Sequence, residues 1–165
     1  MRLPIIISAT LLLSLGLNLP AMSQTPAERT QYQTNNNSNF RLLRRLNFNR
    51  GLWNQKNIYN YRYTFSNSCF CIGEARGPVV IEVRNGQTTS ITLDGKPVNP
   101  QFFEKYNTIP KLFNVIQDAI NRKAYSLNVQ YDPKLGYPTQ INVDYNSQIA
   151  DEEIFLTIEK FQIIK

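Results

Sequence analysis

Cys69 and Cys71 flank Phe70 and are the only two cysteines in the chain. In an oxidising compartment an even cysteine count favours a disulfide. The spacing resists closure, because alternate residues of an extended strand have Cα atoms roughly 6.6 Å apart, at the far edge of the disulfide range. Ser68 and Gly73 would permit the bend that closes it, and a bond strained in this way is easier to reduce. The pair therefore reads as a structural clip on a bulge or loop, with thiol–disulfide redox activity as the alternative. Zinc is disfavoured, since two thiolates without histidine fall short of the usual four ligands.

Histidine is absent from all 165 residues. That removes Ser-His-Asp and Cys-His nucleophilic pairs, H-E-x-x-H zinc sites and imidazole acid–base work at neutral pH. No catalytic residue, resident metal or cofactor is assigned. Asp132, Asp144, Asp151, Glu152 and Glu153 are the carboxylates that could converge near one sheet edge. An oxygen-only cluster suits calcium, but the spaced acidic loop that would mark such a site is missing. Turn formation and solvation explain the same residues. Tyr59, Tyr61 and Tyr63 are spaced to share one strand face. That face is either a flat binding platform with polar tips or the core side of a sheet, which alternation more often marks. Arg41, Arg44 and Arg45, with Arg50 nearby, form a basic patch able to hold phosphates, anionic head groups or an acidic protein. The bland alternative is a solvated helix face. No nucleic-acid-binding motif accompanies the patch, so nucleic acid is not the expected partner.

These residues need elements to position them. Leu42, Leu43, Leu46 and Trp53 recur near helical spacing and predict a first helix over about Phe40–Gln55, weakened by Gly51. Period-two alternation predicts a strand from Tyr59 to Ser66. Val79–Arg84 and Gln87–Leu93 predict two more, joined at Asn85-Gly86, the strongest short hairpin signal. Asp94-Gly95-Lys96-Pro97 reads as a turn. Thr108 as cap and Pro110 in the first turn open a second helix. Its stripe of Ile109, Leu112, Phe113, Ile116, Ala119 and Ile120 carries it to about Lys123. Leu127–Tyr131 and Ile141–Tyr145 alternate as strands across a loop holding Asp132, Gly136, Tyr137 and Pro138. Ile154, Phe155, Ile158 and Phe161 fit helical spacing, but the β-formers among them favour a last strand. The layout is α+β: an antiparallel sheet of five to six strands with two helices on one face, in the order α-β-β-β-α-β-β-(β).

The chain's beginning carries an address. Met1-Arg2 precedes an apolar run from Ile5 to Leu17, and Ala21-Met22-Ser23 offers the small residues a signal peptidase accepts. The run is shorter than the roughly 20 residues that span a bilayer. Residues 1–23 read as a signal peptide cleaved before Gln24, with no transmembrane segment afterwards. Residues 24–39 are rich in Asn, Gln and Thr and read as a flexible polar leader, and 40–165 as a single domain. Cleavage removes Arg2 and lowers the formal net charge from +6 to +5.

One combination stands out: Trp53, Tyr61-Arg62-Tyr63, Cys69-Phe70-Cys71, Val79–Val83 with Asn85-Gly86, Leu112-Phe113, and Tyr131-Asp132 through Gly136-Tyr137-Pro138. Asp144 and Ala150-Asp151-Glu152 follow it. Over about Trp53–Phe161 the chain resembles a family of small exported bacterial domains, frequent in cyanobacteria and known only as a domain of unknown function. The resemblance implies a bacterial source and an envelope or extracellular address, and it implies no catalytic residues. The sequence thus reads as a secreted or periplasmic binding module with a protein or envelope component as partner.

Overall fold

The computed structural model describes residues 26–68, 73–146 and 153–165. The expected signal peptide, Cys69 and Cys71, and Asp151 and Glu152 lie outside the described residues. Those described form helix α1 (Pro26–Gln55), strand β1 (Tyr61–Ser68), the one-turn helix α2 (Gly73–Arg76) and strands β2 (Val79–Arg84), β3 (Gln87–Leu93) and β4 (Lys96–Pro97). A 3-10 turn (Pro100–Phe103), helix α3 (Ile109–Asn121) and strands β5 (Ser126–Tyr131), β6 (Pro138–Asp144) and β7 (Glu153–Ile163) follow. All the strands join one antiparallel sheet in the order β4-β3-β2-β1-β7-β6-β5. Two meanders, β1 to β4 and β5 to β7, meet where the first strand pairs with the last.

The α+β class and the antiparallel sheet are as the sequence implied; the counts are not. The sheet has seven strands rather than five or six, because Asp94-Gly95 makes a second tight hairpin turn, with φ of 49° and 78°, that returns Lys96-Pro97 against β3. The helices number three with α2, and α1 begins at Pro26 rather than Phe40. Residues 26–39, read from composition as a flexible leader, thus have helical backbone. Proline is tolerated in a first helical turn, and no glycine or further proline interrupts the segment before Gly51. The helix runs through Gly51 without a break.

Inward-facing residues of the sheet supply half the core: Tyr61, Tyr63 and Phe65 from β1, Val79, Ile81 and Val83 from β2, Ile141 and Val143 from β6, Leu156 and Ile158 from β7. The apolar stripe of α3 is buried from Ile109 to Ile120, and Leu46 and Trp53 of α1 complete the layer. Thr108 caps α3 as its position implied: its backbone is extended and its hydroxyl accepts from the Lys111 N–H at 3.3 Å. The sheet's other face holds Arg62, Thr64, Ser66, Gln140 and Asn142, all of them exposed or half-buried.

β7 settles the ambiguous last segment. The β1–β7 register shifts between Arg62 and Thr64, and Lys160 takes a φ of 49° there. One extra residue in β7 makes a β-bulge, which resets the alternation. Leu156 and Ile158 point inward before it. Beyond it Phe161 reaches the core side, stacked on Tyr137 at 4.5 Å and on Tyr61 at 5.5 Å.

Candidate functional site: a groove beside helix α3

The residues singled out in the sequence disperse. Tyr61 and Tyr63 are each 1 % exposed, so they are core residues and not a binding surface. The Tyr61 hydroxyl accepts from the Ile109 N–H at 3.0 Å and the Tyr63 hydroxyl donates to the Tyr106 carbonyl at 2.9 Å. Burial pushes the Tyr61 phenol up to about 12, and burial also raises Tyr63 well above the usual phenol range. Both therefore stay protonated and serve to hold the start of α3. Tyr59 precedes the strand and is 60 % exposed; its carbonyl accepts from Gly86 N–H at 2.9 Å. The hairpin itself forms as its sequence implied, with φ of 51° at Asn85 and 77° at Gly86, the pattern of a two-residue type I′ turn.

The basic patch divides. Arg45 donates to the Val129 carbonyl at 3.1 Å and lies over the Tyr131 ring; Arg50 donates to the Phe113 carbonyl at 2.9 Å and lies over the Phe113 ring. These two guanidiniums tie α1 to the sheet and to α3. Arg41 and Arg44 stay exposed.

The Asp132–Pro138 loop is a structural device. The Asp132 carboxylate accepts from Lys134 N–H at 2.9 Å and Leu135 N–H at 2.7 Å, closing the turn on itself. Gly136 has a φ of 79°, and a Cβ there would lie 3.1 Å from Leu52 Cβ and deep inside contact with the Asn49 carbonyl oxygen. Only glycine lets the loop touch α1 this closely. Tyr137 then enters the aromatic cluster with Trp53 and Phe161. Of the carboxylates, Asp144 stands opposite Glu153 across the β6–β7 pair, but Asp132 is remote from them: Tyr131 pairs with Pro138 at one end of the β5–β6 hairpin and Ser126 with Asp144 at the other. Asp132 and Asp144 are thus separated by the length of β5, roughly 17–20 Å. Among the described residues no group of three acidic, histidine or cysteine side chains could hold a metal ion.

A groove that sequence reasoning missed lies along α3. Its volume is about 700 Å³, and it is bounded by the Glu104–Tyr106 turn, by Lys111, Asn114, Val115 and Asp118 of α3 with Arg122 at its C-terminal cap, by Tyr145 just past β6 and by Ile154 of β7. None of the described side chains of α1 lines it. The α3 residues recur at i, i+3, i+4, i+7 and i+11, a second stripe beside the buried one. That spacing was the available signal, but polar residues on a helix's outer side look the same when they face only water.

The floor of the groove is organised. The Tyr145 hydroxyl donates to Asp118 Oδ2 at 3.1 Å. The Arg122 guanidinium sits 4.0 Å above the Tyr145 ring and 3.6 Å from the same carboxylate oxygen. Burial, then Asp118, raises the Tyr145 pKa, so the phenol remains a donor. Burial also raises Tyr106. Lys111 donates to the Glu104 carbonyl at 2.7 Å, which holds its ammonium at the groove wall. This arrangement offers cations, hydroxyls and an apolar strip from Val115 and Ile154. Among the described residues it offers no nucleophile paired with a base.

A family of unknown function, DUF6174, matches residues 45–163. The chain belongs to that family. The match begins within α1 and ends on the last residue of β7, so it takes in the whole sheet, the α3 groove and the Asp132–Pro138 loop. Comparison with curated proteins and with solved structures finds no match to either.

Proposed function

We propose that this family member is an exported, non-catalytic binding module of the cell envelope or extracellular space. In this reading the α3 groove receives a carboxylate or phosphate group of a protein or envelope partner. The observation that carries the reading is the preset Tyr145–Asp118–Arg122 arrangement inside a groove of about 700 Å³, a volume typical of small-ligand sites. Lys111 and Arg122 face the anionic group, and Val115 and Ile154 take an apolar part beside it. Fixed side chains lose little freedom on binding, which favours affinity. Export is supported by the apolar run and small-residue site before Gln24.

Hexanoate and inorganic phosphate are suitable probes, one with an apolar tail and one without. A ligand present at ten times its Kd stabilises the fold by about 1.4 kcal/mol, which raises the melting midpoint by several degrees. Hexanoate should produce such a rise in the wild type, phosphate a smaller one, and Lys111→Ala with Arg122→Ala should abolish both. Equal rises in the wild type and the double variant, or no rise in either, would remove the groove from the account.

A further inference from the structure

The outer face of α1 carries an unusual pairing. Phe40 and Phe48 are 60 % and 71 % exposed. They lie eight residues apart, about 12 Å along the helix, with Arg44 between them on the same side. The Arg44 guanidinium sits 5.7 Å from the Phe40 ring centre. Arg41, Arg44, Arg45 and Phe48 line a shallow depression of about 760 Å³. Between Glu28 and Glu74 the sequence has six arginines and one lysine and no acidic residue, so no neighbouring carboxylate within this stretch neutralises the face. Arg45 and Arg50 contribute positive charge while their hydrogen bonds go to main-chain carbonyls.

From this we infer that the Phe40–Phe48 face of α1 docks on an anionic phospholipid bilayer. Charge complementarity selects an anionic surface, and the two exposed rings select a bilayer over a purely hydrophilic polyanion. Phenylalanines beside arginines on one helix side are the pattern of a helix lying in the membrane interface, with rings at the acyl boundary and guanidiniums among the phosphates. No helix among the described residues is long and apolar enough to cross a membrane; the contact is peripheral. It shares no residue with the α3 groove, and Phe40, Arg41 and Arg44 precede the residues matched by the family.

Vesicle co-sedimentation tests this, using protein that lacks residues 1–23. Every described element begins at Pro26 or later, so that form retains the whole core. The probes are phosphatidylcholine vesicles with and without phosphatidylglycerol. The wild type should bind the mixed vesicles and not the neutral ones. Arg41→Gln with Arg44→Gln should weaken partition about thirtyfold, since each cation near an anionic membrane contributes about fivefold. Phe40→Ser with Phe48→Ser should weaken it at least tenfold at unchanged charge. Melting midpoints should match the wild type in both variants, because all four side chains are exposed. Three results would overturn the inference: no preference for anionic vesicles, unchanged partition in the arginine pair, or unchanged partition in the phenylalanine pair. The last, together with displacement by polyglutamate, would assign the face to an acidic protein partner instead.

Discussion

Replacing Gly136 by alanine measures how far the Asp132–Pro138 loop holds α1 in place. Gly136 and Gly86 have nearly the same backbone, with φ of 79° and 77°, but different surroundings. Alanine at either site meets the left-handed penalty of roughly 1–2 kcal/mol. At Gly86 nothing lies within 4 Å of the new methyl, so that penalty is the whole cost. At Gly136 the methyl enters the Asn49 carbonyl oxygen and presses on Leu52 Cβ at 3.1 Å. The helix must withdraw, and overpacking of this kind adds roughly 1–3 kcal/mol. The expected total is about 3–4 kcal/mol, or a fall of about 10 °C in melting midpoint, against about 3–5 °C for Gly86→Ala. Thermal melts followed by circular dichroism and by the fluorescence of Trp53, the chain's only tryptophan, read both values. Trp53 packs edge-on to Tyr137 at 6.3 Å, so its emission should change only in the Gly136 variant. Equal midpoint shifts in the two variants would refute the close approach of loop and helix.

Four further outcomes follow from the same structure. Tyr61 has a pKa raised by burial to about 12, from about 10 when unfolded; its contribution is fully present below pH 10 and is lost as pH rises toward 12. Stability measured by denaturant titration should therefore fall across that window, and less steeply in Tyr61→Phe. Arg50→Met removes the hydrogen bond to the Phe113 carbonyl and should lower stability by about 1–2 kcal/mol; an unchanged denaturation midpoint would show that α1 is held without it. Cys69 and Cys71 should be joined in protein taken from the envelope or medium. Non-reduced mass spectrometry should show the loss of two hydrogens, and free alkylation of both thiols would rule the bond out. N-terminal sequencing of the same material should begin at Gln24, and a retained Met1 would contradict export by cleavage.

Much of the fold was legible because its signals are local. Asn85-Gly86, the Thr108-x-Pro110 helix start and the Ile109–Ile120 stripe each declare themselves within a few residues, and each lies where its pattern implied. The last strand was harder to read for a physical reason: the bulge at Lys160 breaks the period of two, leaving Ile154, Phe155, Ile158 and Phe161 at spacings that also suit a helix. The start of α1 was misjudged because composition reports what a segment can bury, not whether its backbone can be helical. Among the site residues, strand alternation placed Tyr61 and Tyr63 on one face correctly, but it does not say whether that face meets water or α3. Arg45 and Arg50 carry the same local pattern as Arg41 and Arg44, and only the tertiary position of Val129 and Phe113 separates the two pairs. The groove escaped notice because Tyr145 reaches Asp118 across 27 positions, a meeting that no local period records.

The proposed binding role turns on the α3 groove, and a ¹⁵N–¹H correlation titration of the protein with hexanoate tests it most directly. The account predicts saturable shifts at the amides of Asn114, Val115, Asp118, Arg122 and Tyr145, absent in the Lys111→Ala, Arg122→Ala variant. Shifts that instead map to the polar sheet face around Arg62 and Asn142, or no shifts at tens of millimolar hexanoate, would contradict it.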